Sequence, residues 1–144
     1  MILYTGYRKD GWGWETGYYG RHIQPDGSFM HFIQNMGDNR CHEVDPESLG
    51  ILDTNVKDRD KKVVTASFPY EKGKMSKGGS IIHRKCDGKT GKFVVFFRNG
   101  RFCIRTKKKY VLILTWDVTD KVIGNAYSNP ALVEKHSIEE LSGK

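Results

Sequence analysis

The dipeptide Asn99-Gly100 stands between residues 92–98 and 101–106, two runs that alternate aromatic, β-branched and basic side chains. Asn and Gly both tolerate the positive φ that a two-residue hairpin turn requires. The dipeptide therefore predicts a β-hairpin. A turn this short also fixes the pairing register. Arg98 then faces Arg101, Phe97 faces Phe102, Phe96 faces Cys103 and Val95 faces Ile104. Alternation puts Val95, Phe97, Phe102 and Ile104 on one face, which is expected to be core. The opposite face carries Val94, Phe96, Arg98, Arg101, Cys103 and Arg105. Its apolar members imply a second cover, supplied by the N-terminal half, the tail or another subunit. Like charges directly opposite one another are unfavourable. Arg98 and Arg101 are thus expected to splay into water, bind an anion or meet carboxylates.

The same punctuation runs along most of the chain. Residues 4–7 lead through Asp10-Gly11 to 12–19, and residues 22–24 lead through Pro25-Asp26-Gly27 to 29–33. Both read as hairpins, because Asp and Gly supply the backbone freedom of tight turns. Residues 35–39 read as a polar loop and Asp45-Pro46-Glu47-Ser48 as a turn. Residues 53–61 are polar and highly charged, and are read as the connector between two halves. Strands are expected at 80–86, 92–98, 101–106 and 110–116, with a further one at 63–68 ahead of a Gly- and Lys-rich loop at 71–79. Five short strands over some 60 residues suit a small SH3-like barrel. The tail changes character. Asn129 with Pro130 suits a helix start, and Ser137 with Glu140 suits a capping box.

The expected fold is therefore mainly β. It comprises an N-terminal β-meander over 1–58, an SH3-like barrel over 59–128 and a short helical tail over 129–144. With 144 residues the chain can bury a core without metal or disulfide support. No run approaches the length of a membrane span. The start lacks the basic and apolar regions of a signal peptide, so none is expected. Cys41, Cys86 and Cys103 form no paired spacing, which suits a reduced, intracellular protein.

Charge is distributed unevenly. Residues 56–110 hold 17 Lys/Arg against 4 Asp/Glu, and the remainder carries −6 within a net charge of +7. Such polarity suits an anionic partner, contact between the acidic and basic regions, or simply a soluble basic surface.

Two further stretches carry a family resemblance. One joins Gly20, Ile23 and Pro25-Asp26-Gly27 to His42-Glu43-Val44-Asp45-Pro46-Glu47-Ser48-Leu49-Gly50. The other is Lys121-Val122-Ile123-Gly124-Asn125-Ala126-Tyr127-Ser128-Asn129-Pro130-Ala131-Leu132. Together with Gly6, Gly11 and Trp12 they resemble the YopX family of phage and prophage proteins. The middle departs from that pattern. Residues 65–76 form an apparent insertion, and Lys77-Gly78-Gly79 stands where the family carries acidic residues. The resemblance implies a phage or prophage accessory protein in the cytoplasm of a bacterial host. It also implies a two-part β-rich fold with an SH3-like second part, and no assigned catalytic residues.

Chemistry-bearing motifs are sparse. A zinc set assembled from Cys41, His42, His31 and either other cysteine lacks the C-x-x-C pairs of a knuckle. No nucleophile elbow, H-E-x-x-H or phosphate-binding loop is complete. Cys86 and Cys103 approach one another only if their strands are neighbours. No enzyme activity, cofactor, metal or membrane contact is expected. A binding module is, with nucleic acid, a host or phage protein, or a second copy of the chain as partner. The candidate anion-binding residues are Arg84, Lys85, Lys89, Lys92, Arg98, Arg101, Arg105, Lys107, Lys108 and Lys109. Phe96 and Tyr110 are the candidate partner contacts, since basic β surfaces with aromatics can hold phosphates and stack bases. Trp12, Trp14, Tyr18 and Tyr19 could supply an apolar contact, or be the alternating core residues of a strand.

Overall fold

A computed structural model describes residues 1–86, 89–105, 110–112 and 120–133; the side chains of 85, 86, 89, 90, 105 and 110–112 are outside that description. The chain is mainly β. The strands are β1 (Ile2–Tyr7), β2 (Trp14–Ile23), β3 (Phe29–Asn35), β4 (Cys41–Glu43), β5 (Gly50–Lys57), β6 (Val63–Ala66), β7 (Pro69–Glu71), β8 (Lys74–Met75), β9 (Ser80–Cys86), β10 (Lys89–Arg98), β11 (Arg101–Arg105), β12 (Tyr110–Leu112) and β13 (Lys121–Asn125). They form a six-stranded sheet ordered β4-β3-β2-β1-β5-β6, a five-stranded sheet ordered β12-β11-β10-β9-β13, and the small β7–β8 hairpin. Every strand pairing within these sheets is antiparallel.

The Asn99-Gly100 hairpin has the register read from its turn: Val95 opposite Ile104, Phe96 opposite Cys103, Phe97 opposite Phe102, Arg98 opposite Arg101. Asn99 sits at φ 52° and Gly100 at φ 74°, the two positive values a type I′ turn needs. Both faces are covered. Val95, Phe102 and Ile104 pack with Ile82 and Phe93 against Ile51, Val64 and Ala66 of the first sheet. On the other face Val94, Phe96 and Cys103 pack with Ile81 and Ala126, flanked by Met75, Ile123, Leu132 and Val133. The second cover is therefore the C-terminal segment with the β7–β8 hairpin.

Several expectations change. Residues 63–66 join the first sheet rather than the second, because β5 and β6 form a hairpin across the expected 58/59 boundary. The turn is held by Asp58, whose Oδ1 accepts the N–H groups of Asp60 (2.9 Å) and Lys62 (2.8 Å). Its Oδ2 accepts the N–H of Val122 on β13 (2.8 Å), so one carboxylate ties both sheets. Burial alone would raise the Asp58 carboxyl. The backbone N–H donors and Lys62 outweigh it and hold the carboxyl below its ordinary value. The loop expected at 71–79 instead contains the β7–β8 hairpin. The expected helical tail is, where described, a single 3-10 turn at Pro130–Leu132. Asn129 makes no side-chain cap there; its Oδ1 accepts the N–H of Asn125 at 3.1 Å instead. The capping box at Ser137 and Glu140 lies outside the described residues.

The two sheets meet at Ser67. β9 covers the edge of β10 only as far as Val94, which it pairs with Ile81. Ser67 takes over the vacated edge, donating its N–H to the Val95 carbonyl (2.9 Å) and accepting the Phe97 N–H (2.8 Å). The Ser67 hydroxyl accepts the N–H of Gly79 at 2.8 Å. A Cβ on Gly79 would run into the Val95 carbonyl and lie 2.6 Å from Ser67 Oγ, so only glycine lets the chain pass there.

A buried ion pair closes the far side. Arg84 Nε and Nη2 donate to Asp120 Oδ1 (2.7 Å) and Oδ2 (2.6 Å), with side-chain exposures of 8% and 0%. Removing one partner strands a buried charge, and Asp120→Ala is expected to cost about 3–5 kcal/mol in urea unfolding. The double variant Arg84→Met, Asp120→Leu is expected to recover most of that loss. Equal destabilisation of the single and double variants would show that the pair is not what the fold depends on there.

Candidate functional site

Strand register gathers the basic residues of the second sheet. Lys92 on β10 stands opposite His83 on β9, and His83 stands opposite Lys121 on β13. One cross-strand row thus carries Lys92, His83 and Lys121. His83 is exposed, and the two lysines are half-buried. Among the described residues no carboxylate pairs with any of them. Arg98 and Arg101 face each other at the exposed hairpin tip on the same side of the sheet. The apolar patch around Phe96 and Cys103 lies between the row and the tip, under Ala126. The exposed parts of this face are therefore basic, and its middle is closed.

This placement removes two of the candidates. Arg84 is buried and committed to Asp120, because alternation puts it on the side of Ile82, facing the first sheet. Phe96 is 1% exposed and belongs to the core, so it offers no surface for stacking. Lys92, Arg98 and Arg101 remain at or near the surface. For Lys85, Lys89, Arg105 and Tyr110 only strand positions are described: Lys85 opposite Thr90, Lys89 opposite Cys86, Arg105 opposite Tyr110. Lys107, Lys108 and Lys109 lie outside the described residues. His83 and Lys121 were not among the candidates. The register of the 80–86 strand was the signal for His83. Lys121 needed β13 to be recognised as its neighbour.

The cysteines do not converge. β10 lies between β9, which carries Cys86, and β11, which carries Cys103. Cys41 is exposed and Cys103 buried. Among the described residues no group of three or more His, Cys, Asp or Glu side chains is placed to hold a metal ion.

The first sheet holds a polar chain that sequence reasoning missed. His31 is buried, with Nδ1 2.7 Å from the Tyr19 hydroxyl and Nε2 3.0 Å from Glu71 Oε2. Burial pushes the Tyr19 phenol above its ordinary value. A neutral His31 ring that donates from Nε2 to the Glu71 carboxylate accepts at Nδ1 from the Tyr19 hydroxyl. The Tyr70 ring meets His31 edge-on at 5.5 Å. The chain fastens the β7–β8 hairpin to β2 and β3. Of the aromatic N-terminal residues only Tyr19 turns inward here, beside Tyr4 and Phe68. Trp12 is 82% and Tyr18 55% exposed, while Trp14 packs edge-on against Tyr7 and Tyr127.

The two stretches that carry the family resemblance meet in space. The Tyr127 hydroxyl donates to Asp45 Oδ2 at 2.7 Å, and the Ala126 N–H donates to the Gly79 carbonyl at 3.0 Å. Asp45 also caps the 3-10 turn Pro46–Ser48 through the N–H of Glu47. Asn125 Nδ2 donates to the Gly78 carbonyl at 2.9 Å. Tyr127 fastens the C-terminal segment to the turn after β4, and Asn125 and Ala126 fasten it to Gly78 and Gly79 ahead of β9. No family model, curated protein or solved structure matches the chain.

Burial, then the Asp45 carboxylate, pushes the Tyr127 hydroxyl from 10.0 up to about 12. Below the lower value both folded and unfolded chains keep this proton. Between the two values the unfolded chain releases it first, so stability falls as pH rises through that window. Tyr127→Phe is expected to lose about 1–2 kcal/mol at neutral pH, from the lost bond to a charged acceptor. It should also flatten the alkaline decline. Unfolding titrations across this range check both effects. An unchanged alkaline slope in the variant would rule out this contact as its source.

Proposed function

We propose that this chain is a non-catalytic binding module that holds nucleic acid by its phosphates on the second sheet. The observation that carries this reading is the row of Lys92, His83 and Lys121, which no carboxylate pairs among the described residues, with Arg98 and Arg101 on the same side of the sheet. It is supported by the concentration of 17 Lys/Arg against 4 Asp/Glu in residues 56–110. Adjacent strands lie about 4.8 Å apart, so Lys92 and Lys121 stand two strand spacings apart on one face, with His83 between them. Phosphate contacts position a nucleic acid without reading its sequence. With Phe96 inside the core, the described face offers cations rather than a stacking platform, and binding should discriminate little between sequences. The proposal takes the second sheet as the SH3-like part that the family resemblance implies. It places the protein as a phage or prophage accessory factor in the cytoplasm of a bacterial host.

A second reading is favoured by a separate observation. Trp12, Trp14 and Tyr18 stand exposed on the first sheet and its first turn. A host or phage protein, or another copy of the chain, would cover such side chains more readily than nucleic acid would. Co-purification from infected cells with and without nuclease separates these readings.

Gel shifts with single- and double-stranded DNA and RNA are expected to show binding at low salt that weakens steeply as salt is added. Lys92→Gln with Lys121→Gln should weaken all sequences alike and lower the slope of log K against log salt by about 2. Absence of any shift at low salt, or an unchanged slope in the double variant, would overturn the reading.

A further inference from the structure

Part of one edge of the longest strand of the first sheet has no neighbour among the described residues. β2 runs for 10 residues, but β1 pairs only with Trp14–Gly17. β3 continues alongside β2 to the end, pairing Ile23 with Phe29. From Tyr18 onward the β2–β3 hairpin is thus an arm whose β2 side is open among the described residues.

The hydrogen-bond alternation shows what that edge presents. Arg8 N–H donates to the Gly13 carbonyl, and Gln24 N–H donates to the Ser28 carbonyl. Odd-numbered residues of β2 therefore aim their backbone groups toward β1, and even-numbered ones toward β3. Past the end of the β1 pairing, the N–H and C=O groups of Tyr19, Arg21 and Ile23 point to the open side. None of them has a backbone or side-chain partner among the described residues. Side-chain exposure agrees: Tyr18 is 55% and Ile23 60% exposed, and Gly20, Arg21 and His22 are exposed as well. Natural sheet edges are blunted by proline, charged side chains, a bulge or brevity. Residues 18–23 carry no proline, and the β2–β3 register has no bulge; the guanidinium of Arg21 is drawn off the edge, lying 4.3 Å over the Phe29 ring and donating to the Tyr70 carbonyl.

We propose that this edge pairs with the same edge of a second copy of the chain, extending the first sheet across a molecular twofold axis. The surface is self-complementary. An antiparallel twofold pairing brings residues of equal parity together, so the axis passes through a residue. With the axis at His22, the outward backbone groups of Arg21 and Ile23 in one copy meet those of Ile23 and Arg21 in the other; an axis at Gly20 would set Ile23 against Gly17, whose edge β1 already holds. The guanidiniums of the two Arg21 residues then do not face each other, as they would with the axis at Arg21. Gly20 leaves a bare floor, with no atom within 4 Å of where its Cβ would lie. It lies in an open groove of about 480 Å³ between Tyr18, His22 and Phe32. Tyr18 and His22 share one face of β2 with that floor, and the His22 rings of the two copies meet at the axis beside it. The inference is independent of the nucleic-acid reading, which uses residues of the second sheet.

Edge pairing buries less area than a standard interface, so the dimer is weak and depends on concentration. Sedimentation of the full chain from micromolar to near-millimolar concentration is expected to pass from one to two chain masses. Arg21→Pro removes the central outward N–H and spares the β2–β3 ladder, which uses even residues. It should remain folded by circular dichroism and sediment as a monomer throughout. Arg21→Ala keeps the N–H and should still dimerise. Ile23→Lys, an edge charge, should weaken association at least tenfold. In the wild type, exchange of the Arg21 and Ile23 amides should slow as concentration rises. A wild type that stays monomeric, or a dimer whose Arg21 and Ile23 amides gain no protection, overturns the proposal even if Arg21→Pro fails to fold. A folded Arg21→Pro variant that dimerises as well as the wild type does the same.

Discussion

A strand has two edges, and β10 needs three neighbours to fill them. β11 occupies one edge, β9 part of the other, and the remainder falls to Ser67. That single residue decides how the two sheets sit together. Its backbone satisfies the Val95 carbonyl and the Phe97 N–H, and its hydroxyl satisfies Gly79. Buried backbone groups left without partners are costly. The arrangement lets β6 belong to the first sheet while the next residue pairs with the second. The shared core of Ile51, Val64, Ala66, Ile82, Val95 and Ile104 is a consequence of that junction.

The buried polar groups follow the same logic. Asp58 joins the β5–β6 turn to β13, Arg84 and Asp120 join β9 to the start of β13, and His31 joins the first sheet to β7–β8. Each sits where two segments distant in sequence must be held in one arrangement. Apolar packing is tolerant of small slips, whereas a bidentate guanidinium–carboxylate pair is not. These groups set the alignment of segments that the hydrophobic core alone would leave less sharply defined.

What could be read from the sequence was local. The Asn99-Gly100 register was legible because a two-residue turn leaves few alternatives. The first two hairpins were legible from their turn residues, Asp10-Gly11 and Asp26-Gly27, but their registers were not, because both turns are longer than two residues. The partner of β6 was not legible, since nothing in Val63–Ala66 says which sheet it should join. β13 was read as a motif rather than a strand, because Gly124 and Asn125 look like turn residues; the register shift between Val122 and Gly124 shows the irregularity they mark. The candidate basic face was half legible. Charge clustering found Lys92, Arg98 and Arg101, yet it also drew in Arg84. The alternation that makes Ile82 a core residue already placed Arg84 on the inner side. A charge at a core-facing position should have been read as needing a buried partner.

The order β10-β9-β13 also has a consequence for synthesis. Arg84 leaves the ribosome 36 residues before Asp120. Until Asp120 arrives, burying β9 would strand an uncompensated guanidinium, a state that costs several kcal/mol. The first sheet depends on no such late partner for its β1–β4 pairings and can form while the rest is still being made. The Arg84–Asp120 pair therefore makes the full burial of β9, in the half that carries the basic row, depend on a residue synthesised well after it.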